Sequence, residues 1–282
     1  MLGTPHTQKK IISVMVALLL VFVLGACQTT NPKVEDGVAE AWVKEKHGNL
    51  NDLNANANGH ILVIWAALEG RVDMLRWLKQ RGATISTGNG NDNDWTPMHA
   101  AAREGRVEAM KWLKKQGVNV NATYKYSSGT TPMHYAAMWG QLEAMKWLKE
   151  QGADVNAKEK GGATPMYWAA NGGHLEAMKW LKEQGADIGT GRPAMHAAAY
   201  HGYVHAMEWL KEQGVDVNAR DDLDRTPMHL AAKGDQVYTM KWLKEQGANV
   251  NVKDHEGKTP SSYARFNEAK TWLRANGDNG EE

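Results

Sequence analysis

Thr96-Pro97-Met98-His99-Ala100-Ala101-Ala102 is one copy of a phrase that decides how this chain folds. It returns as Thr131-Pro132-Met133-His134-Tyr135-Ala136-Ala137, as Thr164-Pro165-Met166-Tyr167-Trp168-Ala169-Ala170 and as Thr226-Pro227-Met228-His229-Leu230-Ala231-Ala232. A Trp-Leu pair follows each copy at a constant offset. The period is best measured on Trp42, Trp77, Trp112, Trp147, Trp180, Trp209, Trp242 and Trp272, whose gaps are 35, 35, 35, 33, 29, 33 and 30 residues. Repetition at this length predicts a stack of small helical units without a single closed core. A stack of that kind offers a long surface for gripping another molecule.

Each unit reads alike. Thr-Pro opens a helix, because Thr can cap free N–H groups and Pro fits the first turn. The Ala-rich stretch behind it is a short first helix, followed by Gly70, Gly105, Gly140, Gly173 or Gly202. A second helix, such as residues 107–116, stops at Gly82, Gly117, Gly152, Gly185, Gly214 or Gly247. Glycine after a helix takes the left-handed conformation that closes its last turn. Within the second helix Val107, Met110 and Leu113 recur at spacing three, with Ala109 and Trp112 beside them, which predicts one buried stripe. Lys111 and Lys114 face the other way. Glu143 and Lys146 can support each other there by about 0.2–0.5 kcal/mol. A polar loop, such as Asn119-Val120-Asn121-Ala122, leads to the next unit.

With these residues in register, the chain resembles the ankyrin-repeat proteins over residues 59–277, as seven units. The resemblance rests on the Thr-Pro-Leu-His-like openings, the glycine stops and tails such as Gly152-Ala153-Asp154-Val155-Asn156-Ala157. It implies an all-α solenoid of stacked helix-turn-helix units, joined by β-hairpin-like fingers at right angles to them. It also implies that the repeated His bonds within its own opening turn. Residues 38–58, with Trp42 and Gly48, resemble half a unit and are expected to cap the N-terminus. Several places depart from the family pattern. Met replaces the usual Leu, and the unit near His60 lacks Thr-Pro. Pro193-Ala194-Met195-His196 has lost the Thr, and the loop before it is four residues short, so its finger should be stunted. The last opening, Thr259-Pro260-Ser261-Ser262-Tyr263-Ala264-Arg265, is shortened and more polar, as befits a unit whose outer face meets water. Residues 278–282 read as a disordered tail.

The N-terminus reads as an address. Lys9 and Lys10 precede an apolar run of 13 residues, 11–23. At ~1.5 Å per residue it spans about 20 Å, short of the ~30 Å hydrocarbon core. It is therefore read as a secretory signal, residues 1–26, rather than a membrane span. Leu24-Gly25-Ala26-Cys27 resembles the lipobox of bacterial lipoproteins, in which cleavage precedes the Cys and acyl chains are added to it. Cys27 is the only cysteine, so no internal disulfide can form, and it is the expected lipidation site. One acyl chain binds a membrane marginally, with K of about 10⁴ M⁻¹. Proteins of this type carry two or three. Residues 27–37, with Thr, Asn, Pro and Gly, read as a flexible tether. Gln28, where an Asp would retain the protein in the inner membrane of enteric bacteria, favours the outer membrane, facing the periplasm.

Composition narrows the function classes. The chain has 33 basic and 32 acidic residues, and loss of residues 1–26 removes Lys9 and Lys10, leaving it near neutral. No basic run marks a nucleic-acid face. Twelve tryptophans invite a binding role, but each presents about 150–250 Å², and the repeated set left exposed in register would exceed the few hundred Å² that a soluble monomer tolerates. Trp112 and its equivalents are therefore expected between neighbouring units. His99, His134, His196 and His229 lie one unit apart. Stacked helices sit about 8–10 Å apart, too far for those rings to share a zinc ion. His201 and His205 are four apart, but Gly202 breaks the helix between them. Asp221, Asp222 and Asp224 fall in a finger and read as a solvated turn rather than a calcium site. There is no Gly-x-Ser-x-Gly elbow, and Gly189-Thr190-Gly191 is too short for a phosphate loop. No catalytic residue, cofactor or metal is expected.

Function is then expected where units differ. By the resemblance, partners meet the fingers and the positions just after the Ala-Ala pair. On this chain these include Arg103, Glu104, Met138, Trp139, Tyr200 and His201, with Trp95, Tyr124, Tyr126, Leu223 and Arg225 on fingers. Trp, Tyr and Arg dominate interface hot spots. Trp95, Tyr124, Tyr126, Trp139 and Tyr200 are expected at the centre of a protein-binding face, with a notch beside the stunted finger. The expectation is a monomeric, membrane-tethered protein-interaction scaffold of the bacterial envelope. The alternative is an inhibitor or immunity protein against a toxic envelope enzyme. An enzyme or small-ligand site in the concave groove stands third.

Overall fold

The computed structural model describes residues 34–46, 58–85, 95–124, 129–189 and 193–279. Among them are fifteen helices and no strand. Eight are second helices: α1 (Asp36–Glu45), α3 (Val72–Gln80), α5 (Val107–Lys115), α7 (Leu142–Glu150), α9 (Leu175–Glu183), α11 (Val204–Glu212), α13 (Val237–Glu245) and α15 (Asn267–Ala275). Seven are first helices: α2 (Asn58–Glu69), α4 (Pro97–Arg103), α6 (Pro132–Met138), α8 (Pro165–Asn171), α10 (Ala194–His201), α12 (Pro227–Lys233) and α14 (Pro260–Tyr263). Each first helix packs on its own second helix and on the first helices of adjacent units. Wholly buried Ala100, Ala101, Ala102, Ala136 and Ala137 let those backbones close up. The second helices carry Met, Trp and Leu and meet one another sparsely. The first helices therefore pack closely on one another and the second helices loosely. No described helix is long and apolar enough to cross a membrane.

The opening phrase works through its His. Thr96 N–H donates to His99 Nδ1 at 3.1 Å, and His99 N–H donates back to Thr96 Oγ1 at 3.4 Å. The same bond joins Thr131 to His134 at 3.1 Å and Thr226 to His229 at 3.0 Å. Because Nδ1 accepts, Nε2 carries the ring proton. It donates across the seam: His99 to the Thr130 carbonyl at 3.2 Å, His134 to Ala163 at 3.3 Å and His229 to Lys258 at 3.1 Å. Burial pushes His99 and His134 down to about 4, so both are neutral at pH 7. Where Thr-Pro is missing, α2 runs back to Asn58, since no proline blocks the preceding turn.

Second helices close as expected. Gly117, at φ 87°, gives its N–H to Lys114 at 2.9 Å while Val118 N–H reaches Leu113 at 3.1 Å, the paired bonds of a Schellman end. Met110 and Leu113 are fully buried. The ion pairs Lys111–Glu108, Lys146–Glu143 and Lys179–Glu176 lie at 2.6, 2.7 and 2.8 Å on the solvent side. Trp42, Trp77, Trp147 and Trp242 are buried, and Trp112, Trp180, Trp209 and Trp272 pack half-buried on the same core. Trp42 Nε1 donates to Glu69 at 2.8 Å and Trp77 Nε1 to Asp36 at 2.7 Å. The polar loops also tie units together: Asn156 Nδ2 donates to the Gly185 carbonyl at 3.1 Å, and its Oδ1 accepts from Asp187 N–H at 2.9 Å.

Two expectations need correction. The helix at the N-terminal cap begins at Asp36, so Asp36 and Gly37 belong to it rather than to the tether. Asp36 is held there by Trp77 and by Arg81, 2.9 Å away. At the other end Asp278 is no part of a loose tail. It is buried, accepting the Ser261 N–H at 2.7 Å and the Ser261 hydroxyl at 3.1 Å, in place of a further unit. The fingers are hairpin-like turns without a strand among the described residues. Tyr124 and Thr130 make a single antiparallel bridge, and the later turns are each closed by two backbone bonds, as where Asp221 N–H donates to the Arg225 carbonyl and Asp224 N–H to the Asp221 carbonyl, both at 2.9 Å. Side chains take the remaining N–H groups that a partner strand would have used.

Candidate functional site

The concave side is built from the ends of the first helices and the bases of the fingers. Its exposed centre is Trp139, which caps α6 and is 44% exposed. The Arg103 guanidinium lies over its ring, 4.6 Å from the centroid, and Arg103 Nε pairs with Glu104 at 3.4 Å. Arg103, Glu104 and Trp139 therefore form one assembly across two units, with Met138 half-buried beside Trp139. Trp95 is half-buried against Tyr135 with centroids 6.1 Å apart, its indole nitrogen buried without a hydrogen-bond partner among the described residues. Tyr124 is half-buried with its ring 6.5 Å from His99. Tyr126 and Cys27 lie outside the described residues.

A second group forms at the fifth full unit. Tyr200 meets His201 edge-on at 4.8 Å, and His201 stacks on Tyr203 at 5.8 Å and shares a hydrogen bond of 3.1 Å with Asn171. Burial lowers the His201 pKa. Leu223 is exposed on its finger, and its carbonyl accepts from His255 N–H at 3.2 Å. Arg225 is not a free finger residue. Its Nε donates to Asp221 Oδ2 at 2.9 Å and its terminal nitrogen lies 2.7 Å from the same oxygen. Burial pushes the Asp221 carboxyl up, but bonds from Arg225 and from the Leu223 and Arg225 N–H groups outweigh it and hold it low. Asp221 is thus a half-buried partner, not the solvated turn residue expected. The sequence-derived face separates into two groups, around Trp139 and around Tyr200.

Between α8, α10 and α12 lies a cleft of about 280 Å³, lined among others by Tyr167, Asn171, His196, Tyr200, Arg225 and Lys233. Pro193 also lines it, and residues 190–192 of the connection expected to be short lie outside the described ones. Pro193 stands where other units have Thr and has no N–H to give. His196 keeps its cross-seam bond, Nε2 to the Arg225 carbonyl at 2.7 Å, while its Nδ1 is buried without a partner among the described residues.

Sequence reasoning missed Tyr135, Tyr167, Trp168 and Trp65. Trp168 packs edge-on against Tyr167 at 5.6 Å, and Trp65 is 41% exposed with Lys46 over its ring at 5.1 Å. A signal was present: the place after the His holds Ala in two copies of the phrase but Tyr135 and Leu230 in others, with Trp168 behind Tyr167. Among the described residues no group of three or more His, Cys, Asp or Glu side chains is placed to hold a metal ion.

Comparison with known proteins agrees with this geometry. The family model described as ankyrin repeats (3 copies) matches residues 26–124, 86–159, 110–191, 156–221 and 195–275. The crystal structure of the human ASB11 ankyrin repeat domain is similar, at 27% identity and a TM-score of 0.61, over 76% of this chain and 96% of that one. No curated protein matches. Repeats of this kind are generally binding scaffolds without chemistry of their own, and the match extends over most of the described units: the chain belongs to the ankyrin repeat family.

Proposed function

We propose that this protein is an interaction scaffold of the bacterial envelope, tethered through lipidated Cys27 to the outer membrane on its periplasmic side, and that it holds a partner protein on its concave face. The observation that carries the binding reading is Trp139. Its equivalents in neighbouring units are Glu104, Gly172 and His201, and a solvated surface gives no reason for a large indole there. It is exposed while the repeated core tryptophans are covered, and it is braced by Arg103 in the form interface anchors take. Replacing Trp139 and Tyr200 together by Ala is expected to weaken partner capture by about 2 kcal/mol or more while moving the melting temperature by only about 2–4 °C. Trp77→Ala, at a buried ring, is expected to do the reverse, costing about 3–5 kcal/mol of stability. Crosslinking and pull-down from native membranes, followed by mass spectrometry and melting curves, reads both. A destabilised double variant that still captures its partner would reverse the assignment.

The tether rests on Leu24-Gly25-Ala26-Cys27 and the apolar run before it. Globomycin is expected to block precursor cleavage, and Cys27→Ser is expected to free the chain from the membrane fraction. Cleavage indifferent to the drug, with Cys27→Ser still membrane-bound, would remove lipidation from the account.

A further inference from the structure

The cleft at the fifth unit carries a charge and a shape that select an occupant. Its carboxylate is already spent: both oxygens of Asp221 accept from Arg225 and from backbone N–H groups, so Arg225 and Asp221 cancel. His201 is engaged with Asn171, and burial keeps His196 and His201 uncharged at neutral pH. What remains is Lys233, exposed at the end of α12 and without a carboxylate partner among the described residues. The cleft thus presents one uncompensated cation beside the rings of Tyr167 and Tyr200. At about 280 Å³ it falls just below the ~300–1,000 Å³ of cofactor and small-molecule pockets. It suits a side chain. A single cation is too little for a nucleic-acid backbone, whose affinity grows with the number of phosphates neutralised.

From this juxtaposition we infer that the cleft receives a glutamate side chain from an extended segment of the partner protein, its methylenes against Tyr167 and Tyr200 and its carboxylate on Lys233. The inference rests on the protein-binding reading above. The ligand inferred is a side chain within the segment and not its C-terminal carboxylate, a distinction the peptides below test.

The test uses the full chain, ¹⁵N-labelled, titrated with end-blocked Gly-Ser peptides that carry a central Glu, Gln or Lys. The Glu peptide is expected to shift the amides of Ala197, Tyr200 and Lys233 and to bind about tenfold more tightly than the Gln peptide. Lys233 is exposed, so Lys233→Glu should fold as the parent does, and its preference should invert to the Lys peptide. Equal binding of Glu and Gln, no shifts at these amides, or an unchanged preference in Lys233→Glu would overturn the inference. So would a Gln peptide with a free C-terminal carboxylate binding as well as the Glu peptide, which would make a chain end the ligand. Partner capture lost in the Trp139 and Tyr200 variant but intact in Lys233→Glu removes this inference alone. Capture indifferent to all of these changes removes the scaffold reading with it.

Discussion

Gly173→Ala is expected to destabilise the stack by about 3 kcal/mol, against about 1–2 kcal/mol for Gly117→Ala. Both glycines lie at positive φ, 72° and 87°, where an L side chain is strained. They differ in what a Cβ would meet. At Gly117 there is open space, whereas at Gly173 three ring atoms of Tyr203 from the next unit lie within 2.8–2.9 Å. One of them is the ring carbon nearest the backbone, so the ring cannot swing clear without moving α11. The difference between the two variants therefore measures the seam and not the local turn. At about 2–4 °C per kcal/mol, Gly173→Ala should lower the melting temperature by roughly 10 °C. Equal losses at the two positions would show that Tyr203 does not seal the seam. The same place in the sixth full unit holds Asp235, at φ 53°. Aspartate tolerates this region, and here its carboxylate accepts from Arg265 and Phe266 N–H at 2.9 and 3.0 Å, capping the shortened last unit.

Acid is expected to unfold the protein well before its carboxylates are neutralised. Burial lowers His99 and His134 from 6.5 to about 4, and lowers His196 and His229 in the same direction. In the unfolded chain these rings bind protons near 6.5, so between about pH 6.5 and pH 4 the unfolded state holds more protons than the folded one. Their contribution is complete above pH 6.5 and is lost as pH falls toward 4. Each ring of the first pair is worth ~1.4 kcal/mol per pH unit, about 3 kcal/mol across the window, so the two together remove on the order of 6 kcal/mol. Protonation also attacks the seam directly. A charged ring can no longer accept the Thr96 or Thr131 N–H at Nδ1, and the opening turn loses its brace. Urea unfolding at half-unit pH steps, followed by circular dichroism, gives the slope. Stability that stays flat from pH 6.5 to 4.5 would mean that these rings are charged, or free, in the folded protein.

The helices were legible because their signals are local. Thr96, Pro97 and His99 act within one turn, and Gly117 closes α5 through bonds to Lys114 and Leu113. The repeated tryptophans were legible by arithmetic, since that much indole surface in register has to be covered. The binding face was only half legible. Trp139 stood out because its neighbours in the period are small or polar, but its brace from Arg103 comes from another unit. Arg225 looked like a free finger residue, although Asp221 lies only four residues away. Spacing alone does not say whether a finger turn tightens enough to bring the two together. The lining of the cleft by α8, α10 and α12 was not legible, and the notch expected beside the stunted finger falls on residues 190–192, outside the described ones.

From the chain alone came the period, the approximate extent of the helices and their buried faces, because each depends on residues a few places apart. The tertiary structure decided which rings stay exposed, that His99 and His134 reach across to Thr130 and Ala163, and that Lys233 lines a cleft with Tyr200. Those outcomes depend on residues about thirty positions apart. They are fixed by how closely one unit settles on the next, and no local spacing encodes that distance.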